Sequence, residues 1–419
     1  MLKGIIITQK SELERTLTEN YIERDFEPFT LENNLIKVVM GPRRAGKSFF
    51  CLHTLSRQGN FGYVNFDNEA LLKLDDYQDL VSEIKQVYEA PKNLFFDEIQ
   101  NLPNWELFVN GLQRQGYLLV VTGSNSKLLS KELTTHLTGR HIPTIVLTFS
   151  FKEYLKAKKA DLGKLTTQES EEILLEYLRS GGYPEVVMKK LDPKQYLSVL
   201  FDSIIYKDII KRYHIRKGPD IEKLAEYLMS NLASEISYLS LAQTVGIKSS
   251  QSTQKYCGFL EEAYLIFTVN RFSYKTKHIG QNRKVYAYDN GMITAKAFQA
   301  SPNYGKFLEN CVAIHLKRKD MEKKIELYYW RNPQGEAVDF IVKRGTQIME
   351  LIQARYSLES EKTRNREIRA LLKAGKELGC KKLTILTLRE AKEEMHEWFG
   401  IKGVITYKPI ARWLLENTY

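Results

Sequence analysis

The chain has 419 residues, of which 43% are hydrophobic and 27% charged, and its formal net charge is +11. This length exceeds what one compact core usually holds, so the sequence predicts several domains. No run approaches the ~20 apolar residues of a membrane span, and the first residues lack the pattern of a secretory signal. We therefore expect a cytoplasmic protein that makes no membrane contact.

The charge is distributed unevenly along the chain. Residues 1–200 carry 25 Lys/Arg and 26 Asp/Glu, whereas residues 201–419 carry 37 and 25. A basic half next to a near-neutral half indicates a polyanionic partner, and DNA is the partner we predict. Surface lysines that keep the protein soluble are the alternative explanation.

Residues 35–48 read Leu-Ile-Lys-Val-Val-Met-Gly-Pro-Arg-Arg-Ala-Gly-Lys-Ser. An apolar strand, a glycine loop and the start of a helix follow one another, which is the context that the phosphate-binding pattern G-x-x-x-x-G-K-[ST] requires. The two glycines let backbone N–H groups point at phosphate oxygens. Lys47 is predicted to reach the β- and γ-phosphates of ATP, and the Ser48 hydroxyl to bind Mg²⁺.

The residues predicted to line the ATP site are Gly41, Arg43, Arg44, Ala45, Gly46, Lys47, Ser48 and Phe49, with Ser124 and Asn125 from a later strand. A helix is expected at residues 11–24, ahead of this loop. Next along the chain, an apolar strand at residues 93–97 ends in the acids Asp97 and Glu98. In a P-loop enzyme the first acid holds the Mg²⁺ shell and the second orients or deprotonates the attacking water. Asp97 and Glu98 are the residues predicted for these roles.

A further buried strand at residues 117–123 leads to Ser124 and Asn125. Either of these residues could sense the γ-phosphate, or they could form a turn and helix cap. Arg140 precedes a strand expected at residues 144–149. Its guanidinium is a candidate transition-state cation, and a plain salt bridge is the alternative.

Several motifs occur in a fixed order: Gly-Pro-Arg-Arg-Ala-Gly-Lys-Ser, Phe-Phe-Asp-Glu-Ile-Gln-Asn-Leu-Pro-Asn-Trp-Glu, Thr-Gly-Ser-Asn-Ser-Lys-Leu-Leu, Thr-Gly-Arg, Phe-Ser-Phe-Lys-Glu-Tyr, Gly-Gly-Tyr-Pro-Glu-Val, Tyr-Lys-Asp-Ile-Ile and Val-Tyr-Ala-Tyr-Asp-Asn-Gly. In these motifs the chain resembles bacterial and archaeal AAA-like ATPases whose C-terminal half combines a winged helix with a restriction-endonuclease-like domain of unknown function. The resemblance covers nearly the whole chain. It implies an α/β fold with an AAA-like P-loop ATPase domain at 1–150, a helical lid at 151–218, a winged helix at 219–300 and a degenerate restriction-endonuclease-like domain at 301–419.

The pattern at residues 239–262 predicts a helix-turn-helix, because Gly246 supplies a turn and Ser249 or Ser250 caps a second helix. Two strands around a basic loop follow and would form the wing. The residues predicted to contact nucleic-acid phosphates are Lys255, Arg271, Lys275, Lys277, Arg283 and Lys284. The alternative is that this module binds a protein.

Active members of the restriction-endonuclease fold place an Asp on one strand and Glu-x-Lys on the next, with a helical Glu assisting. Aligned with that pattern, Glu309 and Asp339 match, but Gln353 and Arg355 replace the Glu and the Lys. Glutamine is neutral and a poor Mg²⁺ ligand, and arginine does not release its proton. We therefore expect the nuclease activity to be lost or very weak, and the alternative role of Glu309 and Asp339 is in structural salt bridges.

The function predicted from the sequence is Mg²⁺-dependent ATP hydrolysis coupled to DNA binding or remodelling through the basic C-terminal half. A homo-oligomer would allow Arg140 to act on a neighbouring subunit. The alternative is an ATP-controlled signalling or scaffold protein whose C-terminal half binds a protein partner. An ATP-dependent nuclease is a third possibility, which Gln353 and Arg355 disfavour.

Overall fold

The computed structural model describes residues 2–74, 77–124, 139–273, 282–297 and 303–416. The chain forms two compact units, Met1–Thr148 with Glu262–Tyr264 and Phe149–Glu261 with Leu265–Tyr419. Within the described ranges, no helix is both long and apolar enough to cross a membrane. The division into four domains remains a prediction.

A five-stranded parallel sheet forms the centre of the first unit, with strand order β2-β3-β4-β1-β5. The strands are β1 (Ile36–Met40), β2 (Phe61–Asn65), β3 (Asn93–Asp97), β4 (Leu118–Gly123) and β5 (His141–Ile145). Because all five are parallel, their carboxyl ends lie at one edge of the sheet, where ligands bind in open α/β folds. The mixed α/β class predicted for this half is confirmed.

The helices of the first unit are α1 (Leu2–Thr18), α2 (Lys47–Ser56), α3 (Tyr77–Val87) and α4 (Trp105–Arg114), with 3₁₀ turns at Leu71–Lys73 and Ile99–Asn101. The expected helix ahead of the P-loop is present, but its predicted bounds of 11–24 were wrong, because α1 begins and ends earlier. Helix α1 buries Ile6 and Leu13. Its Gln9 side chain bonds both backbone groups of Asn65, at 2.9 and 3.1 Å, and thereby covers part of the edge strand β2.

The second unit contains α5 (Phe151–Lys158), α6 (Thr167–Ser180), α7 (Pro184–Lys189), α8 (Pro193–Ser203), the π-helical segment Ile204–Lys211, α9 (Gly218–Ser230), α10 (Tyr238–Val245), α11 (Ser250–Glu262), α12 (Asn290–Lys296), α13 (Tyr304–Met321), α14 (Glu361–Leu378) and α15 (Ile410–Trp413). Gly246 ends α10 in the left-handed conformation, with φ 82°. The Ser249 hydroxyl then accepts a hydrogen bond from the Ser252 N–H at 3.1 Å and caps α11. Three successive helices, α9 to α11, therefore lead into the following strands.

A nine-stranded mixed sheet also lies in the second unit, in the order β13-β14-β12-β11-β10-β9-β7-β8-β6. Its strands are β6 (Glu235–Ile236), β7 (Ile266–Arg271), β8 (Arg283–Ala287), β9 (Glu326–Arg331), β10 (Ala337–Arg344), β11 (Gln347–Ala354), β12 (Leu383–Thr387), β13 (Lys392–Trp398) and β14 (Ile401–Pro409). Asn270 of β7 pairs with Tyr328 of β9. The strands expected in the wing and those expected in the nuclease-like region therefore belong to one continuous sheet.

Candidate functional site

The loop between β1 and α2 has a conformation that its glycines make possible. A Cβ atom at Gly41, where φ is 148°, would lie 1.9 Å from the carbonyl oxygen of Val146. Gly46 adopts the left-handed conformation immediately before α2, with φ 88°. The first N–H groups of α2 have no carbonyl of their own helix to bond, and a helix N-terminus in this setting suits an anion.

Two basic side chains fix this loop. The Lys47 ammonium is buried and donates to the carbonyl oxygen of Pro42 at 2.9 Å. Arg24, which the sequence did not single out, donates to the Ala45 carbonyl and, at 2.8 Å, to that of Leu147. Arg24 therefore links the loop to the backbone at Leu147 and stabilises the loop conformation that holds Lys47.

The Asp97 carboxylate is buried at the carboxyl end of β3 and accepts hydrogen bonds from several hydroxyl groups. Thr122 and Ser48 hydrogen-bond to it, and the Tyr63 hydroxyl donates to it at 3.2 Å. Burial and the neighbouring charge of Glu98 raise the pKa of Asp97 to about 6, although the bonds from Thr122 and Ser48 and the charge of Lys47 oppose this shift.

The oxygen atoms of Ser48 and Asp97 are the hard ligands that Mg²⁺ prefers. Among the described residues, no three His, Cys, Asp or Glu side chains converge as a metal-binding group. A P-loop site does not need such a group, because the nucleotide phosphates and water supply the other ligands. The residues present therefore fit the predicted metal.

Glu98 occupies a strained position directly after β3. Its φ is 50°, in the left-handed region that non-glycine residues rarely adopt. The Glu98 N–H donates to the Thr122 hydroxyl oxygen at 3.1 Å, and the Gln100 amide donates to its half-exposed carboxylate. Thr122 therefore contacts both acidic residues of the site. The signal for it was a polar residue at the end of the apolar strand β4.

Ser124 lies at the same edge of the sheet as the P-loop. It follows Gly123, which pairs with Met40 at the end of β1. Its hydroxyl is buried and has no hydrogen-bond partner within the described residues. Asn125, the other residue predicted here, lies outside the described residues.

Arg140 lies at the amino ends of the strands, whereas the P-loop lies at their carboxyl ends. It precedes β5, whose first residue His141 pairs with Ile36 at the amino end of β1. The length of β1, about 13 Å at ~3.3 Å per residue, separates this position from the P-loop. The interpretation of Arg140 as a cation acting on the γ-phosphate of its own domain is therefore wrong. A role on the nucleotide of a neighbouring subunit remains a prediction.

Replacing Thr122 by Val should raise the pKa of Asp97, because it removes a hydrogen bond that favours the ionised carboxylate. Hydrogen bonds to charged groups contribute about 1.5–3 kcal/mol, which corresponds to about one to two pH units. Mg²⁺ binds the ionised form, so the loss of Mg²⁺ affinity on acidification should begin at a higher pH in the variant. Titrating Mg²⁺ into the protein with a fluorescent ATP analogue, at several pH values between 5 and 8, measures this affinity. Protonation of the nucleotide itself affects the wild type and the variant equally. Coincident pH profiles would contradict the assigned contact.

The predicted DNA-contacting residues fall into different environments. Lys255 is exposed on α11, and Arg271 and Arg283 lie on paired strands next to the basic loop. The Arg283 guanidinium lies over the Tyr238 ring and donates to its hydroxyl at 3.1 Å. Lys275 and Lys277 lie outside the described residues.

Lys284 does not belong to that basic surface. Its side chain is buried, and its ammonium lies 3.1 Å from Glu309 Oε1 and 2.9 Å from Asp339 Oδ1. Successive strand residues point to opposite faces of a sheet, so Lys284 points inward whereas its neighbour Arg283 contacts Tyr238. The prediction that Lys284 contacts nucleic-acid phosphates is therefore wrong.

The four residues aligned with a nuclease site are brought together in this interior. Arg355 bonds Asp339 at 2.7 Å and Glu367 at 2.9 Å. The Gln353 side-chain oxygen accepts from the Asp339 N–H at 2.7 Å, and its amide donates to Glu367. The Tyr286 hydroxyl donates to Glu309 at 2.9 Å. We call Lys284, Glu309, Asp339, Gln353, Arg355 and Glu367 the buried ionic cluster.

The pKa values within the buried ionic cluster agree with a set of mutually paired charges. Burial alone would raise the pKa of Asp339, but Arg355 and Lys284 lower it to about 2. Burial and the charge of Asp339 raise the pKa of Glu309, against the opposing effect of Lys284 and Arg355. The Lys284 ammonium thus lies between the two carboxylates that an active nuclease would use to bind a metal ion.

Replacing Lys284 by Met should lower the free energy of unfolding by about 3–5 kcal/mol, because two buried carboxylates lose their shared cation. Urea denaturation followed by tryptophan fluorescence measures this well, since Trp330, Trp398 and Trp413 all belong to the second unit. Lys223→Met, at an exposed position of α9, is the matched control and should change stability little. Equal stabilities of the two variants would contradict the pairing.

Comparisons with known proteins match three parts of the chain to protein families. A family described as an AAA domain matches residues 33–155, and two families described as domains of unknown function, DUF8612 and DUF4143, match residues 171–302 and 304–408. An uncharacterized protein of Methanocaldococcus jannaschii is 36% identical over 414 residues, which is 94% of this chain and 91% of that protein. The chain belongs to the family of this archaeal protein.

A second member of similar sequence is an uncharacterized protein of Haemophilus influenzae, 29% identical over 79% of this chain and 84% of its own length. Among solved structures, AMPPCP-bound DnaA from Aquifex aeolicus is 17% identical and covers 61% of this chain and 86% of its own, with a TM-score of 0.28. A TM-score this low reflects too little structural agreement to support an argument. The AAA match and the site geometry together assign the N-terminal region of this family member as a P-loop AAA-type ATPase domain.

Proposed function

We propose that the protein hydrolyses ATP with Mg²⁺ and that hydrolysis controls how its basic half holds DNA. The observation that carries the first part is the meeting of Lys47, Ser48, Asp97 and Glu98 at the carboxyl edge of one parallel sheet. The uneven charge, with 37 Lys/Arg against 25 Asp/Glu in residues 201–419, supports the second part.

The residues of the site have distinct roles in the proposed reaction. The N–H groups at the start of α2 and the Lys47 ammonium bind the phosphate oxygens of ATP and stabilise the negative charge of the transition state. Ser48 and Asp97 would hold Mg²⁺, which supplies further charge neutralisation when bound. Glu98 accepts a hydrogen bond from the attacking water and orients it. Thr122 positions both acids, and Ser124, whose hydroxyl has no hydrogen-bond partner among the described residues, is proposed to donate to the γ-phosphate.

The C-terminal half is proposed to contain the DNA-binding module. The order of helices α9 to α11 followed by the antiparallel pair β7 and β8 supports the proposal of a winged helix. Lys255, Arg271 and Arg283 would contact phosphates, giving affinity that depends on salt and not on base sequence. The region from α13 to β12 is proposed to be a degenerate restriction-endonuclease-like module, and Lys284 of β8 is proposed to occupy the place of the metal between Glu309 and Asp339. We propose no nuclease activity.

The direct test is the affinity for duplex DNA in three nucleotide states, measured by fluorescence anisotropy. We expect the dissociation constants without nucleotide, with ADP and with a non-hydrolysable ATP analogue to differ by about 5-fold or more, the usual size of coupling between sites. Lys47→Ala should remove the difference. Identical affinities in all three states would contradict the coupling.

Arg140 is proposed to act on the nucleotide of a neighbouring subunit, because it lies at the amino end of β5, whereas the P-loop of its own domain follows the carboxyl end of β1. Specific ATPase activity should then rise with protein concentration, and Arg140→Ala should lower it to the dilute value. Mixing Arg140→Ala with Lys47→Ala should restore part of the activity, since each subunit supplies what the other lacks. Constant specific activity on dilution and no recovery on mixing would contradict this role.

A protein partner is the second candidate function, and the hairpin of β13 and β14 favours it. Phe399 at its turn is 89% exposed, and Met395 and Val404 are also exposed. Within the described part of the chain, strand β13 lies at the edge of the sheet and pairs on one side alone. Exposed apolar residues on such an edge suit a protein contact. DNA-independent ATP turnover together with loss of a protein complex in Phe399→Ser would favour this candidate.

A further inference from the structure

The segment at residues 206–217 carries a concentration of positive charge that the functions above do not use. Five of its residues are basic, namely Lys207, Lys211, Arg212, Arg216 and Lys217. Its single acid, Asp208, is buried. Lys207, Lys211, Arg216 and Lys217 are exposed and have no ion pair with any described residue. We call residues 206–217 the basic segment.

The local backbone places an aromatic ring among these charges. The helix continues from α8 into the π-helical segment, which buries Ile204, Ile205 and Ile209. The opposite side carries Tyr206, which is 62% exposed, and Lys207. π-Helical insertions occur frequently at functional sites. The exposed acid of the preceding turn, Asp202, is paired with Lys296 at 2.6 Å, so it does not cancel the charge of the segment.

Packing joins the basic segment to the proposed DNA-binding helices. The Tyr213 ring stacks on Phe259 of α11, with centroids 3.8 Å apart and an interplanar angle of 11°. The Lys255 ammonium lies 5.6 Å from the centroid of the same Phe259 ring. Lys255 and the basic segment therefore belong to one surface. Near its centre, Arg212 Nη1 is buried and has no hydrogen-bond partner within the described residues.

We propose that the basic segment binds a single-stranded stretch of nucleic acid next to the duplex held by α11, with Tyr206 stacking on an unpaired base. This inference rests on the proposed DNA binding. An exposed aromatic ring among unpaired cations is the combination that single-strand sites use, because the cations follow the backbone and the ring accepts any base. Duplex binding alone would need the charges and would not use the ring.

The test compares a blunt duplex with the same duplex carrying a single-stranded overhang. Tyr206→Ala should weaken binding of the overhang substrate about 5- to 150-fold and leave blunt-duplex binding unchanged, because stacking on one base contributes about 1–3 kcal/mol. Tyr206→Phe keeps the ring and should bind like the wild type. Since Tyr206 is exposed, neither change removes a buried core contact.

The charge is tested by replacing Lys207, Lys211, Arg216 and Lys217 together with Gln. Each phosphate contact on a single strand contributes about 0.7 to the slope of log K against log salt, so this slope should fall by up to about 3 for the overhang. The matched control replaces four exposed lysines elsewhere in the second unit with Gln, namely Lys323, Lys362, Lys376 and Lys381. In the control variant the slope should fall far less.

The outcomes separate this inference from the proposed function. Duplex binding by the wild type, with Tyr206→Ala and the basic-segment variant no weaker than the control on the overhang, would overturn the inference alone. Absence of any DNA binding by the wild type would overturn both. Equal losses on blunt and overhang substrates would show an electrostatic duplex contact and would also overturn the single-strand assignment.

Discussion

Glu98→Gln is expected to lower the rate of ATP hydrolysis by about 10²- to 10⁴-fold, the range lost with a general base or water-orienting group. ATP binding should persist, because Gln keeps the size of the side chain and leaves Lys47, Ser48 and Asp97 in place. Hydrolysis should depend on Glu98 because its strained backbone and the hydrogen bond from its N–H to Thr122 place its side chain directly beside the buried Asp97. Single-turnover hydrolysis and equilibrium binding of a fluorescent ATP analogue separate the two effects.

The matched control is Glu32→Gln, an exposed position ahead of β1 at the other edge of the sheet. It removes the same charge and should hydrolyse ATP like the wild type. Turnover in Glu98→Gln within about threefold of the control would show that another group orients the water, since the loss expected for such a group is at least 10²-fold.

Lys47→Ala should lower turnover by about 10²- to 10³-fold, as removal of one transition-state charge donor does. It should also weaken ATP binding, which distinguishes it from Glu98→Gln. The Lys47 ammonium bonds the Pro42 carbonyl inside the loop, and an incoming phosphate would replace that partner. Steady-state kinetics with an ATP titration measure both effects. Lys92→Ala, at an exposed position just before the amino end of β3, should leave turnover and ATP binding unchanged. A loss of turnover equal to that of Lys47→Ala would contradict the assignment.

The P-loop elements could be predicted from sequence because their signals are local. An apolar run, two glycines and Lys-Ser define a strand, a loop and a helix start, and the strand Asn93–Asp97 occurs where it was predicted. For Thr122 the local signal was only a polar residue at the end of an apolar strand, which does not predict its hydrogen bonds to Asp97 and Glu98 across the sheet.

Tertiary contacts explain the errors. The apolar residues 146–149 were expected to continue a strand, but β5 is the less apolar stretch His141–Ile145, because that stretch pairs with β1. The hairpin of β13 and β14 was missed because its charged, alternating sequence lies at an exposed edge. Lys284 was grouped with its basic neighbours, although strand alternation directs it into the buried ionic cluster.

The coupling of ATP hydrolysis to DNA is tested most directly by the steady-state ATPase rate with and without duplex, single-stranded and branched DNA at low and high salt. Lys47→Ala provides the blank. The proposed function predicts that DNA stimulates the wild-type rate at low salt and that the stimulation disappears at high salt, because the phosphate contacts are electrostatic. A rate that no DNA changes at either salt, together with no DNA binding, would contradict it.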